Sequence, residues 1–268
     1  MSNSARIAVV TGGSTGIGEA TARALAEKGW RCVLVARRRE LLEEIAAEIG
    51  GIAEPCDLLD REAVVALGER LVREHGSIGM LVNNAGALSR GTFLEIELDE
   101  LERIARLNYL SGVWMTHALL PGLRRAAEEA GAHIVNVASV GGLIAFPAAT
   151  AYTASKHAQV AFSRSLRAAL RSTGIGVHTI LPGFVVTDGF PHPRFWETRL
   201  GRRFVVGPER VATEIVEAVE KDKAEVVIPW FPYRLAPLAQ ALLPTVTTRV
   251  MAFDSYRADT TQPGGPTR

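Results

Sequence analysis

The stretch Thr11-Gly12-Gly13-Ser14-Thr15-Gly16-Ile17-Gly18 decides the fold, because it separates two segments of different periodicity. Residues 7–11 before it are β-branched and apolar, which predicts a buried strand, and residues 19–28 after it have the spacing of an amphipathic helix. Glycine lacks a Cβ, so the chain can turn sharply between the two elements. The sequence therefore predicts a strand, a tight turn and a helix at the start of an α/β domain.

The same alternation of short apolar runs and longer helical patterns continues to residue 228. We predict further strands at 32–36, just before Asp57, at 80–82, just before Ser139, at 176–181 and at 225–228. Helices are predicted at 41–49, at 61–74, from 98 through 110 and beyond, from Tyr152 to about 171, and at 208–220. The expected fold class is α/β, a Rossmann-type doubly wound sheet of seven parallel strands with helices on both faces, in a single domain at 1–229.

The composition argues against several classes of protein. The 268 residues carry a formal net charge of +1 with both signs interspersed, so nucleic acid is not the expected partner. The six histidines and the two cysteines, Cys32 and Cys56, show no metal-ligand spacing, so we expect no metal site, and the cysteines resemble small buried residues of a reducing compartment. The N-terminus lacks the apolar core of a signal peptide, and no run approaches the roughly 20 apolar residues of a spanning helix. We therefore expect a cytoplasmic protein without a transmembrane segment.

The glycine-rich turn has the composition of a phosphate-binding loop. Glycines let the backbone approach a pyrophosphate, whose charge is met by amide N–H groups and by the positive end of the helix dipole. A dinucleotide site is predicted here, formed by Gly12, Ser14, Thr15, Gly16, Ile17 and Gly18.

Three arginines follow the second predicted strand. That strand ends at Ala36, where an NAD-selective site usually carries an acid for the ribose 2′-hydroxyl, and Arg37, Arg38 and Arg39 come next. Cations at a helix N-terminus oppose the helix dipole, and a bound anion would offset that cost. We predict that NADP(H) is preferred over NAD(H), with Arg37 on the 2′-phosphate and Ser14 or Arg38 assisting. The alternative is a solvated basic patch.

Two more strand ends offer contacts with a nucleotide. Asp57 and Leu58 follow the third strand, and Asp57 is equally suited to bond an adenine amino group or to cap the next helix. The run Asn83-Asn84-Ala85-Gly86 ends the fourth strand with small residues, against which a nucleotide can lie. Asn84, Ala85 and Gly86 are predicted to bind the cofactor, although an Asn-rich turn has the same composition.

The segment Tyr152-Thr153-Ala154-Ser155-Lys156 predicts acid/base chemistry. Residues four apart share one face of a helix, so the Tyr152 phenol and the Lys156 ammonium point to the same region. A nearby cation lowers the pKa of a phenol from about 10, which makes the tyrosine a usable acid and base. Ser139 follows a predicted strand, at the edge of the sheet where ligands bind. Each position has a simpler interpretation, a solvated helix face for the pair and a turn or cap for the serine.

Together these residues resemble the short-chain dehydrogenase/reductase family in its single-domain form. The resemblance covers residues 7–228 and rests on the glycine turn, the Asn-rich run, the Tyr-x-x-x-Lys motif, and Asn108, Ser139, Pro182-Gly183 and Thr187 in family order. It implies that Tyr152 is the general acid/base, that Ser139 holds the substrate oxygen, and that Asn108 anchors a proton-relay water. It implies that Lys156 binds the nicotinamide ribose and lowers the tyrosine pKa. Cofactor contacts implied by the family pattern include Tyr152, Lys156, Pro182, Gly183, Val185 and Thr187.

The implied activity is hydride transfer between NADP(H) and a carbonyl or secondary alcohol of a fairly apolar small molecule, by a homodimer or homotetramer assembled through the helices of Leu98 and Tyr152. One alternative is a non-catalytic NADP-binding regulator or scaffold, which the four filled catalytic positions disfavour. A second is a sugar-nucleotide epimerase or dehydratase, which the glycine spacing and the absence of a longer C-terminal substrate domain disfavour. Phe190-Pro191-His192-Pro193 and Phe195-Trp196 depart from the family in the usual substrate lid, so the sequence names no substrate.

A C-terminal extension at 230–253 follows the last predicted strand. Its apolar residues recur at helical spacing, and Pro237 and Pro244 are expected to kink or segment the helix. Two interpretations remain open: a helix that covers a substrate cleft, its own or a neighbour's, and a peripheral contact with a membrane surface. Residues 254–268 are expected to form a disordered tail.

Overall fold

The computed structural model of this chain describes residues 6–89, 91–185, 205–231 and 233–252. Its strands are β1 Arg6–Thr11, β2 Trp30–Ala36, β3 Ile52–Pro55, β4 Met80–Asn83, β5 Ala132–Val137, β6 Ile175–Pro182, β7 Phe184–Val185, β8 Val205–Val206 and β9 Glu225–Ile228. Its α-helices are α1 Gly16–Glu27, α2 Arg39–Ile49, α3 Arg61–His75, α4 Leu98–Ala105, α5 Ser111–Glu129, α6 Thr150–Ala169, α7 Pro208–Glu220, α8 Ala236–Leu242 and α9 Pro244–Ala252.

Seven of the strands form one parallel sheet in the order β3-β2-β1-β4-β5-β6-β9. This confirms the predicted Rossmann-type fold. The sequence did not predict β7 and β8, which pair with each other in a small separate sheet. The strand order reverses between β1 and β4, and in such sheets the crevice at the carboxyl ends beside this point is where ligands bind.

Both faces of the sheet are covered, because successive side chains of a strand point to opposite sides. In β1, Val9 packs with residues of α3 and α5, while Ala8 and Val10 pack with residues of α1, α2 and α7. The strands therefore read as continuous apolar runs rather than as alternating ones. Full burial of each large aliphatic side chain contributes roughly 1.5–3 kcal/mol, so these two layers hold the strand ends firmly in place.

The long helix predicted from residue 98 changes its hydrogen bonding part-way. Between α4 and α5, Arg106–Leu110 forms a π-helical segment, and Asn108 lies inside it. Such segments are rare and are frequently found at functional sites.

The C-terminal extension contains two short helices, α8 and α9. Pro237 lies at the start of α8, and Pro244 is the first residue of α9, so the chain is segmented at both prolines. Large apolar side chains of the extension are exposed, including Leu238, Leu242 and Val246. No helix among the described residues is long and apolar enough to span a bilayer. The division into a domain, an extension and a tail stays a prediction, and 254–268 lie outside the described residues.

Candidate active site

The glycine-rich turn is fixed by the end of β4. The backbone N–H of Gly12 donates to Val35 O at 2.7 Å, and Asn84 Nδ2 donates to Thr11 O at 3.0 Å. Gly12 and Gly16 have φ of 68° and 60°, which favours glycine at both positions. A Cβ on Gly18 would lie 2.1 Å from the Gly12 carbonyl oxygen, so Gly18 is required for the close approach of α1 to the turn.

A cleft of roughly 530 Å³ lies over the carboxyl ends of the central strands. Most of the predicted cofactor residues line it: Gly12, Ser14, Thr15, Gly16, Ile17, Arg37, Arg38, Asp57, Leu58, Asn84, Ala85, Gly86, Tyr152, Lys156, Pro182, Gly183 and Val185. Ser139 lines it as well, whereas Gly18 and Asn108 support it from behind. Thr187 and the predicted lid at 190–196 lie outside the described residues.

Sequence reasoning missed eight residues that also line this cleft: Ala36, Cys56, Leu59, Ala87, Leu88, Leu107, Val137 and Ala138. Several directly follow or precede predicted residues, so widening each motif by one or two positions would have found them. Leu107 is one of them, since it directly precedes Asn108.

The three arginines after β2 have different surroundings. Arg38 Nη2 donates to Ser14 Oγ at 3.1 Å and to Thr15 Oγ1 at 3.0 Å, which holds its guanidinium against the glycine turn. Arg37 is exposed at the cleft and makes no ion pair with any described residue. Arg39 lies on α2 and pairs with Glu43 at 3.3 Å, away from the cleft. Two cations therefore line the cleft beyond Ala36, and the third belongs to the helix surface.

Asp57 does not cap the following helix, which was one of the two roles considered for it. The N-cap of α3 is Asp60, whose side chain accepts from Ala63 N at 3.0 Å. Asp57 Oδ1 instead accepts from Leu59 N at 3.0 Å and closes a short turn at the cleft. Its second carboxylate oxygen is thus available to the cleft.

Asn84 links the end of β4 to the glycine-rich turn after β1. Its side chain donates to Thr11 O and Gly12 O, and its backbone N–H donates to Thr11 Oγ1 at 3.0 Å. Its side chain therefore fixes the walls of the cleft, while Ala85 and Gly86 provide the open surface beside it.

Ser139 lies directly after β5 and is buried. Its Oγ accepts from Gly141 N at 3.0 Å, while the Pro182 carbonyl lies at 3.5 Å, which is long for a hydrogen bond. A hydrogen bond between Ser139 and Tyr152 also lowers the pKa of the phenol. The serine oxygen is thus oriented by the backbone, and the phenol lies beside it.

Tyr152 and Lys156 form one wall of the cleft, but their ionisation differs from the sequence prediction. The Lys156 Nζ lies 5.9 Å from the centroid of the Tyr152 ring. The pKa of Tyr152 is raised, not lowered, because burial disfavours the phenolate more than the Ser139 hydrogen bond favours it. Burial also lowers the pKa of Lys156 to about 7. The lysine is therefore only partly charged near neutral pH in the free protein, and it does not offset the burial of the phenol.

Asn108 is buried behind the wall, at 2% exposure. Its Oδ1 accepts from Ala87 N at 2.8 Å, and its Nδ2 donates to Ser155 Oγ at 3.0 Å. Ser155 in turn donates to Tyr152 O at 2.7 Å. The π-helical segment thus places Asn108 where it links the loop after β4 to the first turn of α6, so it is not a surface residue.

A buried polar chain that the sequence did not predict crosses the sheet below the cleft. Asn83 Nδ2 donates to Asn136 Oδ1 at 2.9 Å, Asn136 Nδ2 donates to Ser163 Oγ at 2.9 Å, and Ser163 pairs with Thr179 at 2.6 Å. These side chains tie β4, β5, β6 and α6 together. Among the described residues no group of three or more His, Cys, Asp or Glu could hold a metal ion.

Residues 6–196 match the family described as short chain dehydrogenase. The chain belongs to this family. Its members are oxidoreductases that use a nicotinamide cofactor, and the cleft lies where the fold places such a nucleotide.

Similar proteins agree with this assignment. Dehydrogenase/reductase SDR family member 7B of Bos taurus is 33% identical over an alignment of 266 residues, which covers 92% of this chain and 80% of that protein. A short-chain dehydrogenase from Streptomyces avermitilis has a TM-score of 0.77 at 26% identity, over 94% of this chain and 99% of that one. A variant of actinorhodin polyketide ketoreductase, determined with NADPH, has a TM-score of 0.74 at 27% identity, over 84% of this chain and 95% of that one.

Proposed function

We propose that the protein is an NADP(H)-dependent reductase that transfers a hydride between the nicotinamide and a carbonyl or secondary alcohol of a fairly apolar substrate, with Tyr152 as general acid/base. The observation that carries the proposal is the wall on which Ser139, Tyr152 and Lys156 meet beside the glycine turn. A nucleotide-binding regulator would have no need of a hydroxyl and a phenol hydrogen-bonded at the inner end of the cleft.

The residues of the cleft fit a dinucleotide phosphate. The backbone of the glycine turn lies at the N-terminus of α1, where amide N–H groups and the helix dipole favour anions. Arg37 and Arg38 add two cations next to Ala36, where an NAD-selective site usually carries an acid. A Cβ on Gly86 would lie 3.6 Å from Lys156 Nζ, so the glycine leaves the cleft open at the lysine. These features support a preference for NADP(H) over NAD(H).

The proton chemistry follows from the hydroxyl groups. When bound, NADPH supplies the hydride for the carbonyl carbon. Ser139 accepts from Gly141 N, and its O–H would turn from its long contact with Pro182 O and from the phenol to donate to the carbonyl oxygen, on which negative charge develops. The Tyr152 hydroxyl gives its proton to that oxygen, and the raised pKa of Tyr152 keeps the proton available for this step. Lys156 and Asn108 then serve the ribose and the return of a proton to the phenol, as the family resemblance implies.

Part of the cleft wall is apolar, which supports an apolar substrate. Leu88, Leu107, Val137 and Ala138 contribute to this lining. A polar substrate would leave its own groups unpaired against such walls. The homo-oligomeric state and the cytoplasmic location stay predictions from the sequence.

The test is loss of NADPH absorbance with a panel of ketones, aldehydes and acyl thioesters. We expect turnover with at least one apolar carbonyl, and we expect Tyr152→Phe to lower kcat by about 10²- to 10⁴-fold, because only the proton donor is removed. The affinity for NADPH should change little. Tyr109→Phe is the matched control, since Tyr109 packs edge-on against Phe162 and does not line the cleft. More than a tenth of the wild-type rate in Tyr152→Phe would refute the assignment, and NADPH binding without turnover on any carbonyl would favour the regulator.

A further inference from the structure

Lys156 is a buried cation with two acceptors. Lys156 is 4% exposed, and its Nζ donates to Val137 O at 3.1 Å and to Gln159 Oε1 at 2.9 Å. Gln159 is itself 4% exposed and lies one turn further along α6. An ammonium carries three N–H donors, so two are used here and the third has no partner among the described residues.

The other groups around Lys156 are neutral. Its own helix presents the Tyr152 phenol, β5 presents the Val137 carbonyl, and the loop after β4 presents Gly86. The Asn108 amide of the π-helical segment lies close to the same point. A Cβ placed on Gly86 would be 3.2 Å from Asn108 Oδ1 and 3.6 Å from Lys156 Nζ. Within the described ranges no carboxylate lies beside the ammonium, and burial alone accounts for its lowered pKa. The charge of Lys156 therefore depends on two uncharged acceptors.

Of the two acceptors, only Gln159 can be removed by substituting a side chain. The Val137 carbonyl belongs to the backbone, whereas Gln159 supplies its oxygen from a side chain that can be substituted. A hydrogen bond to the charged form of a group favours that form, and such charge-assisted bonds are the stronger ones. Gly86 and Lys156 both line the cleft, and a Cβ on Gly86 would lie 3.6 Å from Nζ. Because glycine lacks that atom, there is room for the third N–H to meet a ligand.

We propose that Gln159 is a positioning residue that, together with the Val137 carbonyl, orients the Lys156 ammonium, favours its charged form against the cost of burial, and leaves one of its donors for the cleft. The inference rests on the proposed function, in which that ammonium serves the nicotinamide ribose. Gln159 does not line the cleft and would act only through the lysine.

The first experiment titrates Lys156 in the cofactor-free protein. The chain has four lysines, Lys28, Lys156, Lys221 and Lys223, so a protein labelled with ¹³C at the lysine Cε gives four signals, and Lys156→Met assigns the one of interest. Gln159→Met keeps the length of the side chain and removes the acceptor, so the Lys156 pKa should fall by about one to two pH units. Gln159→Glu places a carboxylate at the same position and should raise it by about one to three units.

Ser163→Ala is the matched control. Ser163 lies one turn beyond Gln159 on the buried face of α6 and bonds Asn136 and Thr179, not the lysine. It should destabilise the same helix without moving the Lys156 titration, and thermal melts confirm that each variant is folded. An unchanged titration in both Gln159 variants overturns the inference, and so does an equal shift in Ser163→Ala.

The second experiment follows KM for NADPH against pH with a carbonyl substrate. KM should rise as Lys156 loses its proton, so the rise should begin at a lower pH in Gln159→Met and at a higher pH in Gln159→Glu, with kcat affected less. This result supports the inference. If the titration shifts as expected while the KM profile does not, Gln159 still sets the charge of Lys156, and it is the proposed role of the lysine at the ribose that fails.

Discussion

The preference for NADP(H) can be tested by exchanging charges at the end of β2. In the double variant Ala36→Asp with Arg37→Ala, a carboxylate replaces the methyl group that lines the cleft, and the exposed guanidinium beside it is removed. The backbone contact of Ala36, whose carbonyl accepts from Cys56 N at 2.9 Å, is retained. Arg37 is exposed, whereas Ala36 is 8% exposed, so the new carboxylate meets solvent only through the cleft that Ala36 lines.

The expected magnitude follows from the contacts. A charge-assisted hydrogen bond contributes about 1.5–3 kcal/mol, and the exposure of Arg37 places it at the low end, so its loss should weaken NADPH by about 10-fold. Arg38 stays, held by Ser14 and Thr15, and keeps part of the phosphate affinity. The new carboxylate repels a 2′-phosphate and accepts from a 2′-hydroxyl, which should improve NADH by several-fold. The ratio of the affinity for NADPH to the affinity for NADH should therefore fall by roughly 10²-fold in total.

The assay compares the dissociation constants of NADPH and NADH from quenching of protein fluorescence, which needs no substrate, and then the two values of kcat/KM. Arg39→Ala is the matched control, because it also removes a cation from this segment but one that pairs with Glu43 outside the cleft. It should leave the ratio nearly unchanged. If the double variant does not move the ratio toward NADH, or if Arg39→Ala moves it equally, the phosphate site lies elsewhere.

Two further predictions concern the C-terminal extension and the histidine pair of β5 and β6. Truncation after Arg234 keeps Tyr233, which packs at Gly183, but removes Gln240, whose Oε1 accepts from Ala145 N at 2.9 Å in the segment after Ser139. The truncation should leave NADPH binding intact and change KM for bulky apolar ketones more than for small ones. An equal change in KM for both would make the extension purely structural. If the full-length protein pellets with liposomes and the truncated protein does not, the membrane contact is favoured. His133 Nδ1 lies 3.1 Å from His178 Nε2, and the pKa of His133 is lowered from 6.5 to about 4, chiefly by burial. Because the unfolded state binds the proton first, stability should be full above about pH 6.5 and should fall as the pH drops through 4, by less than about 3 kcal/mol because solvent screens part of the effect at this half-buried ring. Urea unfolding at several pH values measures this, and His133→Gln should flatten the dependence in that window if the pair is its source.

Much of the fold could be predicted because its signals are local. The apolar runs at 7–10 in β1 and at 32–36 in β2 are uninterrupted, as expected for strands buried on both faces, and α7 begins and ends at the predicted residues. Glycine and proline marked the turns at Gly12 and the break before α9 because their backbone requirements do not depend on distant residues. The pair β7 and β8 has two residues a strand, which is too short for any periodicity to show.

The site was predictable in its residue types but not in its contacts. Asn84 was expected to face a nucleotide, yet its amide bonds the backbone of Thr11, 73 residues away in the chain. Asp57 and Asp60 are equivalent N-cap candidates by composition, and only the direction in which the chain enters α3 selects Asp60. Asn136 and Ser163 gave no signal at all, because a buried hydrogen-bond chain is a property of packed neighbours and has no sequence spacing.

The ionisation of Tyr152 and Lys156 shows most clearly where local reasoning ends. The spacing of the two residues correctly places them on one face of α6. The inference that the cation lowers the phenol pKa assumes, however, that burial disfavours neither the ammonium nor the phenolate. Burial disfavours both charged forms, so the free protein holds a protonated phenol beside a lysine whose pKa is about 7. Under the proposed function this state suits carbonyl reduction, because the phenol must begin that step with its proton. Alcohol oxidation needs the phenolate instead, and so depends on every contact that keeps Lys156 charged, the Val137 carbonyl and Gln159 among them. Under the proposed function, the pH at which each direction runs fastest should therefore depend on the acceptors packed behind the lysine as well as on the motif.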